Sequence, residues 1–254
     1  MCRMLAIYGK IDHWKEVVMA FRQQADTGKV PPRKGMLPGH KDGWGMAAAD
    51  LRGRAMETLI RRPGSAADDP LFEQTLAGID PQPSIFICHL RKASPGIAVT
   101  PENIHPFLAG GWGFVHNGTI YQAEKLPRAS DLTPTSSGSD SEYFFHYLLS
   151  CLKNRGEPRG MVRVLSEAVS KVDIEYTALN GFLANGRDLF AIRRYRTHAA
   201  YYTLYCRQMP GGVLLASEPV SAEGIRREDW ALIENNMILK ISGDRPRITA
   251  CRIR

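Results

Sequence analysis

The second residue of the chain, Cys2, is a thiol placed where it can gain a base of its own. Cysteine is small enough to allow removal of Met1, which would leave a free α-amine on the residue that carries the thiol. A thiol attacks a carbonyl carbon as the thiolate, and its ordinary pKa of about 8.5 leaves it mostly protonated at neutral pH. The α-amine, with a pKa of about 7.7–8.0, can accept that proton. By itself, however, Cys2 reads more simply as the second residue of an edge strand.

The pair Asn117-Gly118, preceded by His116, is the second group that could do chemistry. Asn-Gly between apolar segments favours a type I′ turn, so we expect a hairpin over residues 113–121. The same turn can present the Asn117 side-chain amide and the Gly118 backbone N–H as two donors to a tetrahedral oxyanion. A second Asn-Gly pair at positions 185–186 shows that the motif alone indicates only a hairpin.

Two charged residues match the two ends of an amino-acid head group. Arg91 follows an apolar strand expected over residues 84–89, and it can hold a carboxylate through two parallel hydrogen bonds. An exposed arginine at a strand–loop junction explains it about as well. Asp140 begins the amphipathic segment DSEYFFHYLLSCLK and could accept a hydrogen bond from an ammonium group. Its alternative role is to complement the dipole of the helix.

Two further strings mix turn residues with aromatic side chains, as loops that line substrate sites often do. They are HKDGWG over residues 40–45, which contains Trp44, and NIHPF over residues 103–107.

The elements that must position these residues follow the order strands, helices, strands. Apolar patterns predict strands over residues 2–8, 45–49, 56–61 and 84–89, and helices over residues 71–77, from 139 onward and around 161–169. From residue 174 the segments YTALNGFLA, DLFAIRR, YYTLYC, GGVLLAS, MILKI and RITACRI predict strands. This order favours an α+β domain with two sheets between helical layers over alternating βαβ units. No repeat or linker divides the chain, so we expect residues 1–254 to form a single domain.

Composition narrows the class of protein. With 44% hydrophobic and 23% charged residues, the chain is typical of soluble globular proteins. It has neither an apolar run of about 18 residues nor a secretory signal, which predicts no membrane association. Five scattered cysteines predict neither a disulfide framework nor a zinc site, and a cytoplasmic location is the simplest expectation. The net charge of +7 is spread along the chain without stacking aromatics, so we expect no nucleic-acid ligand.

Taken together and in order, Cys2, HKDGWG, HLRKAS, NIHPF, HNG and SDSE resemble the motifs of class II glutamine amidotransferases. That family belongs to the N-terminal-nucleophile hydrolases. The similarity is greatest to its compact single-domain branch, which includes γ-glutamyl hydrolases of ergothioneine biosynthesis and of fungal glutathione breakdown. The motifs cover about the first 145 residues, and ASEPV over residues 216–220 resembles a later turn of the same branch.

The resemblance implies a four-layer αββα N-terminal-nucleophile hydrolase sandwich, and it implies roles for the candidate residues. Cys2 would supply the nucleophile through its thiol and the base through its amine. Asn117 and the Gly118 N–H would form the oxyanion hole. Arg91 would bind the α-carboxylate of a glutamyl group and Asp140 its α-ammonium. An amine or ammonia would leave, and water would resolve a γ-glutamyl thioester.

The resemblance also has departures that bear on the substrate. The large biosynthetic amidotransferases carry a tryptophan and then a Thr-His pair after this arginine, whereas this chain has KASP over residues 92–95. Ser94 can still hydrogen-bond the glutamyl carboxylate, and we add it to the predicted substrate-binding set with His116 and Trp44. Arg3 stands where the large enzymes have a small residue. Cleavage of γ-glutamyl amides in general is therefore better supported than free glutamine as the substrate.

This chemistry requires no cofactor and no metal. If ammonia is used rather than released, a separate ammonia-accepting synthetase must receive it; otherwise the protein is a free-standing hydrolase. Two alternatives stay open. One is an N-terminal-cysteine amidase that acts on a different acyl amide, although Arg91 and Asp140 match both ends of an amino-acid head. The other is a catalytically silent ligand-binding module.

Overall fold

A computed structural model describes residues 2–31, 36–50, 53–93, 99–129, 139–153 and 160–254. Ser94 and Pro95 lie outside these ranges. Within them the α-helices are α1 (Trp14–Arg22), α2 (Gln24–Thr27), α3 (Pro70–Ala77), α4 (Asp140–Lys153) and α5 (Met161–Ser170).

The strands of the described ranges form two antiparallel sheets. The first sheet has the order β11-β9-β10-β1-β4-β2-β3, and the second has the order β13-β12-β8-β7-β6-β5. The strands of the first sheet are β1 (Cys2–Gly9), β2 (Gly43–Ala49), β3 (Met56–Pro63), β4 (Ile85–Arg91), β9 (Tyr205–Met209), β10 (Gly212–Ala216) and β11 (Ala231–Leu232). The strands of the second are β5 (Phe107–Ala109), β6 (Trp112–Asn117), β7 (Asn180–Ala184), β8 (Asp188–Arg193), β12 (Met237–Ser242) and β13 (Arg247–Arg252).

Alternating side chains explain why the two sheets stack. In β1, Leu5 and Ile7 pack under α1 and α3, whereas Met4 and Ala6 enter the core between the two sheets. The outer face of the first sheet is covered by buried residues of α1 and α3, namely Trp14, Val17, Val18, Phe21, Phe72 and Leu76. The outer face of the second sheet is covered in the same way by α4 and α5, through Phe144, Phe145, Leu148, Leu165 and Val169. The result is the four-layer αββα sandwich that the sequence predicts.

The hairpin predicted over residues 113–121 is not formed. Strand β6 continues to Asn117, which pairs with Asn180 of β7, and the chain then makes a bridge between Ile120 and Tyr176. Pairing across the sheet therefore overrides the local preference of Asn-Gly for a tight turn. The second Asn-Gly pair, over residues 185–186, does connect β7 to β8, and its glycine has a φ of 86°.

The strand predicted over residues 201–206 is shifted. Tyr201 and Tyr202 donate their backbone N–H groups to the carbonyl of His198 in a turn, and β9 begins only at Tyr205. Among the helices of the described ranges, none has the length and hydrophobicity that crossing a bilayer requires.

Candidate active site

The sheet register brings Cys2 and Arg91 together. β1 runs antiparallel to β4, and Cys2 is paired with Arg91. The alternation that sends Met4 inward also turns Cys2 toward the second sheet, where its side chain is buried. Backbone pairing between the two strands therefore places Arg91 directly beside Cys2.

Asn117 reaches the same point from the second sheet. Its side-chain oxygen, Oδ1, accepts a hydrogen bond from the Cys2 backbone N–H at 2.9 Å. The residue is fully buried, and its side-chain nitrogen, Nδ2, has no hydrogen-bond partner among the described residues. Buried amide groups are normally hydrogen-bonded, so an anchored asparagine with an unused N–H₂ group is prepared to donate to a ligand.

Gly118 is required by close packing. A Cβ atom added there would lie 1.9 Å from the carbonyl oxygen of Ala178 and 2.7 Å from Nε2 of His116. No residue with a side chain fits without moving the backbone. The glycine lets the chain pass beneath this carbonyl directly after Asn117.

His116 is held inside the protein. Its Nδ1 lies 2.9 Å from the Ser141 hydroxyl, and its Nε2 lies 3.1 Å from the Ala178 carbonyl oxygen. Burial lowers its pKa, and the neighbouring Asp140 carboxylate opposes that effect. Because both ring nitrogens are engaged, His116 fastens the end of β6 to the first turn of α4 and has no nitrogen left for a substrate.

Asp140 is the first residue of α4, and its carboxylate is fixed by backbone donors. Oδ2 accepts from the Ile120 N–H at 2.8 Å, and Oδ1 accepts from the Ser141 N–H at 2.9 Å. The side chain is only half-buried. The negative charge of Asp140 is favourable at a helix N-terminus. The hydrogen bond from Ile120 fixes its carboxylate next to the segment that follows Gly118.

The surroundings of Cys2 favour the thiolate. In the chain that still carries Met1, burial raises the pKa of the thiol, but the charge of the amino terminus, the His89 imidazole and the Lys92 backbone N–H together lower it from 9.0 to about 6. A cysteine with this pKa is mostly ionised at neutral pH, and the thiolate is the reactive form of cysteine.

His89 and His105 also lie here; the sequence analysis gives His89 no role and includes His105 only as part of NIHPF, the string expected to line the substrate site. His89 lies two residues before Arg91 on β4, so the two side chains share a face of the sheet. The rings of His89 and His105 lie 4.3 Å apart, and His105 packs against Phe107 at 4.5 Å. The His89 side chain interacts with the Cys2 thiol, whereas neither ring nitrogen of His105 has a hydrogen-bond partner among the described residues. Because side chains two residues apart on a strand point to the same face, the spacing between His89 and Arg91 could have identified His89 from the sequence.

Arg3 connects β1 to two loops. It is buried, and it pairs with Glu218 at 3.0 Å, donates to the Lys29 carbonyl and lies 4.7 Å above the ring of Tyr201. Glu218 also accepts from the Lys29 N–H and from Arg227, each at 3.0 Å. This network fixes the chain around Lys29 and Tyr201 next to the start of β1.

Trp44 is not part of this site. It is fully buried on the opposite face of the first sheet, where it packs on Phe72 at 5.0 Å and donates to Asp69 at 3.2 Å. Its neighbour Gly45 faces the site instead, and a Cβ there would lie 2.3 Å from the His105 carbonyl oxygen. The string HKDGWG thus contributes close backbone packing rather than an aromatic wall.

Within the described part of the chain, no three His, Cys, Asp or Glu side chains are grouped so that they could hold a metal ion.

Comparison with known proteins identifies the class to which this fold and site belong. A family model described as "Glutamine amidotransferases class-II" matches residues 1–221. The chain therefore belongs to the class II glutamine amidotransferase family. An uncharacterized protein of Methanocaldococcus jannaschii, MJ1515, is 28% identical over 225 residues, which are 79% of this chain and only 61% of that protein.

Solved structures support the same fold. A glutamine aminotransferase class-II domain protein from Silicibacter pomeroyi aligns over 100% of both chains with a TM-score of 0.65 and 20% identity. A predicted glutamine amidotransferase from Pseudomonas aeruginosa aligns over 96% of this chain and 99% of that chain, with a TM-score of 0.59 and 21% identity. The glutamine phosphoribosylpyrophosphate amidotransferase of B. subtilis matches all of this chain with 49% of its own length, with a TM-score of 0.67 and 16% identity.

Proposed function

We propose that this protein is an amidohydrolase that cleaves the side-chain amide of glutamine or of a γ-glutamyl amide, with Cys2 as the nucleophile after removal of Met1. The observation that carries the proposal is the 2.9 Å hydrogen bond from the Cys2 backbone nitrogen to Oδ1 of Asn117. Loss of Met1 converts this nitrogen into the α-amine. One asparagine would then orient the amine through its oxygen and face the reacting carbonyl with its N–H₂ group.

The proposed reaction uses these residues in the following way. Arg91 pairs with the α-carboxylate of the glutamyl group, and Asp140 accepts from its α-ammonium. The Cys2 thiolate attacks the side-chain amide carbon, and Nδ2 of Asn117 and the N–H of Gly118 stabilise the oxyanion. The α-amine passes the thiol proton to the leaving nitrogen, the C–N bond breaks, and a γ-glutamyl thioester remains. Water then cleaves the C–S bond, which releases glutamate and restores the thiol.

Other residues act through these groups. His116 holds the segment of Asn117 and Gly118 in place and is proposed as a positioning residue rather than a substrate contact. Ser94 remains a proposed contact for the glutamyl carboxylate, because it follows Arg91 closely in the sequence. His89 contributes to the stabilisation of the thiolate.

We propose residues 1–254 as one hydrolase domain. Two of the matched proteins are much longer than this chain, since it spans 61% of one and 49% of the other. If the ammonia is used, a separate acceptor protein receives it; if it is not, the γ-glutamyl compound is the true substrate. The ability to cleave glutamine distinguishes these two cases.

The test is glutamate release from L-glutamine and from a panel of γ-glutamyl amides by protein from which Met1 has been removed. Cys2→Ala is expected to abolish release, whereas Cys206→Ala, a matched change of a cysteine on β9, is expected to retain it. Arg91→Ala is expected to raise KM by about 10-fold or more, because a buried charge-assisted contact is lost. Full turnover by Cys2→Ala would refute the nucleophile assignment.

The same panel also decides the alternatives. Cleavage of an N-acyl amino acid with no cleavage of γ-glutamyl amides would identify an amidase of different specificity. Binding of glutamate or glutamine without any turnover would identify a ligand-binding module.

A further inference from the structure

The three backbone N–H groups that follow Gly118 each have an acceptor. They are those of Thr119, Ile120 and Tyr121, which donate to the Thr177 hydroxyl at 2.9 Å, to Oδ2 of Asp140 at 2.8 Å and to the Glu175 carbonyl at 2.9 Å. The Gly118 N–H has no acceptor among the described residues. Backbone N–H groups are normally paired, so the N–H assigned to the oxyanion hole is the one in this run that is left to donate to a ligand.

Thr177 holds the residue directly after Gly118 at both of its backbone polar groups. Its hydroxyl oxygen accepts from the Thr119 N–H at 2.9 Å, and its own backbone N–H donates to the Thr119 carbonyl at 2.9 Å. The same carbonyl oxygen lies 3.5 Å from the Thr177 hydroxyl. The two residues are therefore joined in both directions, and one of the two connections depends on a side chain.

Gly118 itself is enclosed by the next residue of this segment. The Ala178 carbonyl oxygen leaves no room for a Cβ atom at position 118, and it also lies 3.1 Å from Nε2 of His116. Glycine has the freest backbone of all residues, so the direction of its N–H depends on what holds the chain on either side. Here the chain is held by His116 before Gly118 and by Thr119 after it.

The Thr177 hydroxyl is in turn supported by a buried tyrosine. It lies 2.9 Å from the hydroxyl of Tyr202, which is 2% exposed. The Tyr202 backbone is fixed as well, because its N–H donates to the His198 carbonyl at 3.0 Å and its carbonyl accepts from the buried Arg193 guanidinium at 3.3 Å. A hydroxyl group has one donor and two acceptor positions, and the contacts with Thr119 and Tyr202 use those of Thr177.

We propose that the Thr177 hydroxyl is a positioning group for the oxyanion hole, which holds Thr119 so that the Gly118 N–H faces the reacting carbonyl. This inference rests on the proposed function and adds the residue that orients one of the two oxyanion donors. Thr177 does not contact the substrate in this role. An oriented N–H stabilises the negative charge that develops on the amide oxygen in the transition state more than it stabilises the neutral carbonyl. The contribution of Thr177 therefore belongs to kcat rather than to KM.

The experiment compares Thr177→Val, which replaces the hydroxyl with a methyl group of similar size, with Thr177→Ser, which keeps the hydroxyl. The readout is glutamate release from L-glutamine and L-γ-glutamyl-methylamide. Thr177→Val is expected to lower kcat by about 10-fold with KM nearly unchanged, a smaller loss than the roughly 100-fold that follows complete removal of an oxyanion donor. Thr177→Ser is expected to retain kcat. Ser170→Ala removes a hydroxyl hydrogen bond of the same 2.9 Å length at the end of α5 and, as the control, should leave kcat unchanged.

Alkylation of Cys2 by iodoacetamide separates positioning of the donor from a general structural role. This reaction displaces iodide from a saturated carbon and forms no oxyanion, so its rate should be the same in each of these proteins. Equal falls in kcat and in alkylation rate would overturn the inference, as would an unchanged kcat in Thr177→Val or an equal loss in Thr177→Ser. Should Thr177→Val fail to fold, Tyr202→Phe removes only the supporting hydroxyl and is expected to lower kcat by a smaller factor with the alkylation rate unchanged; an unchanged kcat there would count against the inference in the same way.

Labelling by diazo-oxo-norleucine, the diazoketone analogue of glutamine, separates failure of this inference from failure of the proposed function. Labelling of Cys2 in the unchanged protein, together with full kcat in Thr177→Val, would defeat the role of Thr177 alone. Absence of both labelling and turnover in the unchanged protein would defeat the glutamyl site, and the role of Thr177 with it.

Discussion

The ionisation of Cys2 can be measured directly, and it depends on His89. The His89 imidazole is one of the groups that lower the pKa of the thiol to about 6, against the opposing effect of burial. His89→Gln removes this contribution and keeps a side chain of comparable length. The pKa of Cys2 is therefore expected to rise in the variant.

The size of the effect follows from the pKa. A thiol with a pKa of about 6 is roughly 90% thiolate at pH 7, whereas one with a pKa of 9.0 is roughly 1% thiolate. The difference between 9.0 and about 6 corresponds to about 4 kcal/mol of preferential stabilisation of the thiolate. Because the folded-state pKa is depressed, the thiolate is present above about pH 6 and is lost as the pH falls through that value.

The assay is the rate of alkylation of Cys2 by iodoacetamide as a function of pH, followed by peptide mass spectrometry. In the unchanged protein the rate should rise between about pH 5 and 7 and then level off, whereas an ordinary thiol continues to gain reactivity up to about pH 9. Comparison of one residue with itself across pH removes the effect of its limited access. His13→Gln changes an exposed histidine before α1 and serves as the control, with an unchanged midpoint expected.

Two results would contradict the assigned role of His89 and the depressed pKa of Cys2. A midpoint near the ordinary thiol value in the unchanged protein would mean that burial outweighs the groups that favour the thiolate. An identical midpoint in His89→Gln and His13→Gln would mean that His89 makes no contribution.

Two further predictions concern the packing that supports the site. Gly118→Ala should unfold at a lower urea concentration and lose activity, because its Cβ would lie 1.9 Å from the Ala178 carbonyl oxygen; normal stability would contradict the close approach. Arg3→Met should lower the free energy of unfolding by about 3–5 kcal/mol, because Glu218 would lose a buried partner at 3.0 Å. Arg163→Met, which removes an exposed ion pair, should change the free energy of unfolding by less than about 1 kcal/mol. Equal losses of unfolding free energy in the two variants would show that the buried pair contributes no more to stability than the exposed one.

Much of the fold could be predicted because its signals are local. The apolar faces of α1 and α5 repeat with helical periodicity, and short apolar runs such as those of β1 and β12 predict strands. The hairpin expected at Asn117 failed because its turn preference is weak compared with pairing to Asn180, a residue 63 positions later in the chain (180 − 117). Such long-range pairing leaves no trace in a short sequence window.

The site could be predicted only in part for the same reason. Cys2 and Arg91 are 89 positions apart (91 − 2), and strand register alone makes them neighbours. Trp44 is predicted to contact substrate because its string mixes turn residues with an aromatic side chain, but alternation in β2 turns Trp44 outward and Gly45 inward. Tyr201 falls within a predicted strand but lies in a turn, where its ring packs against the Arg3 guanidinium. Which face of a strand meets the other sheet is decided by tertiary packing.

The most direct test of the central claim, that Cys2 is an N-terminal nucleophile in a glutamyl site, is the intact mass of the protein before and after reaction with diazo-oxo-norleucine. We expect a starting mass without Met1 and the addition of one glutamine-derived group, mapped to Cys2 and absent in Cys2→Ala. An active protein that retains Met1, or a label found on another residue, would contradict it.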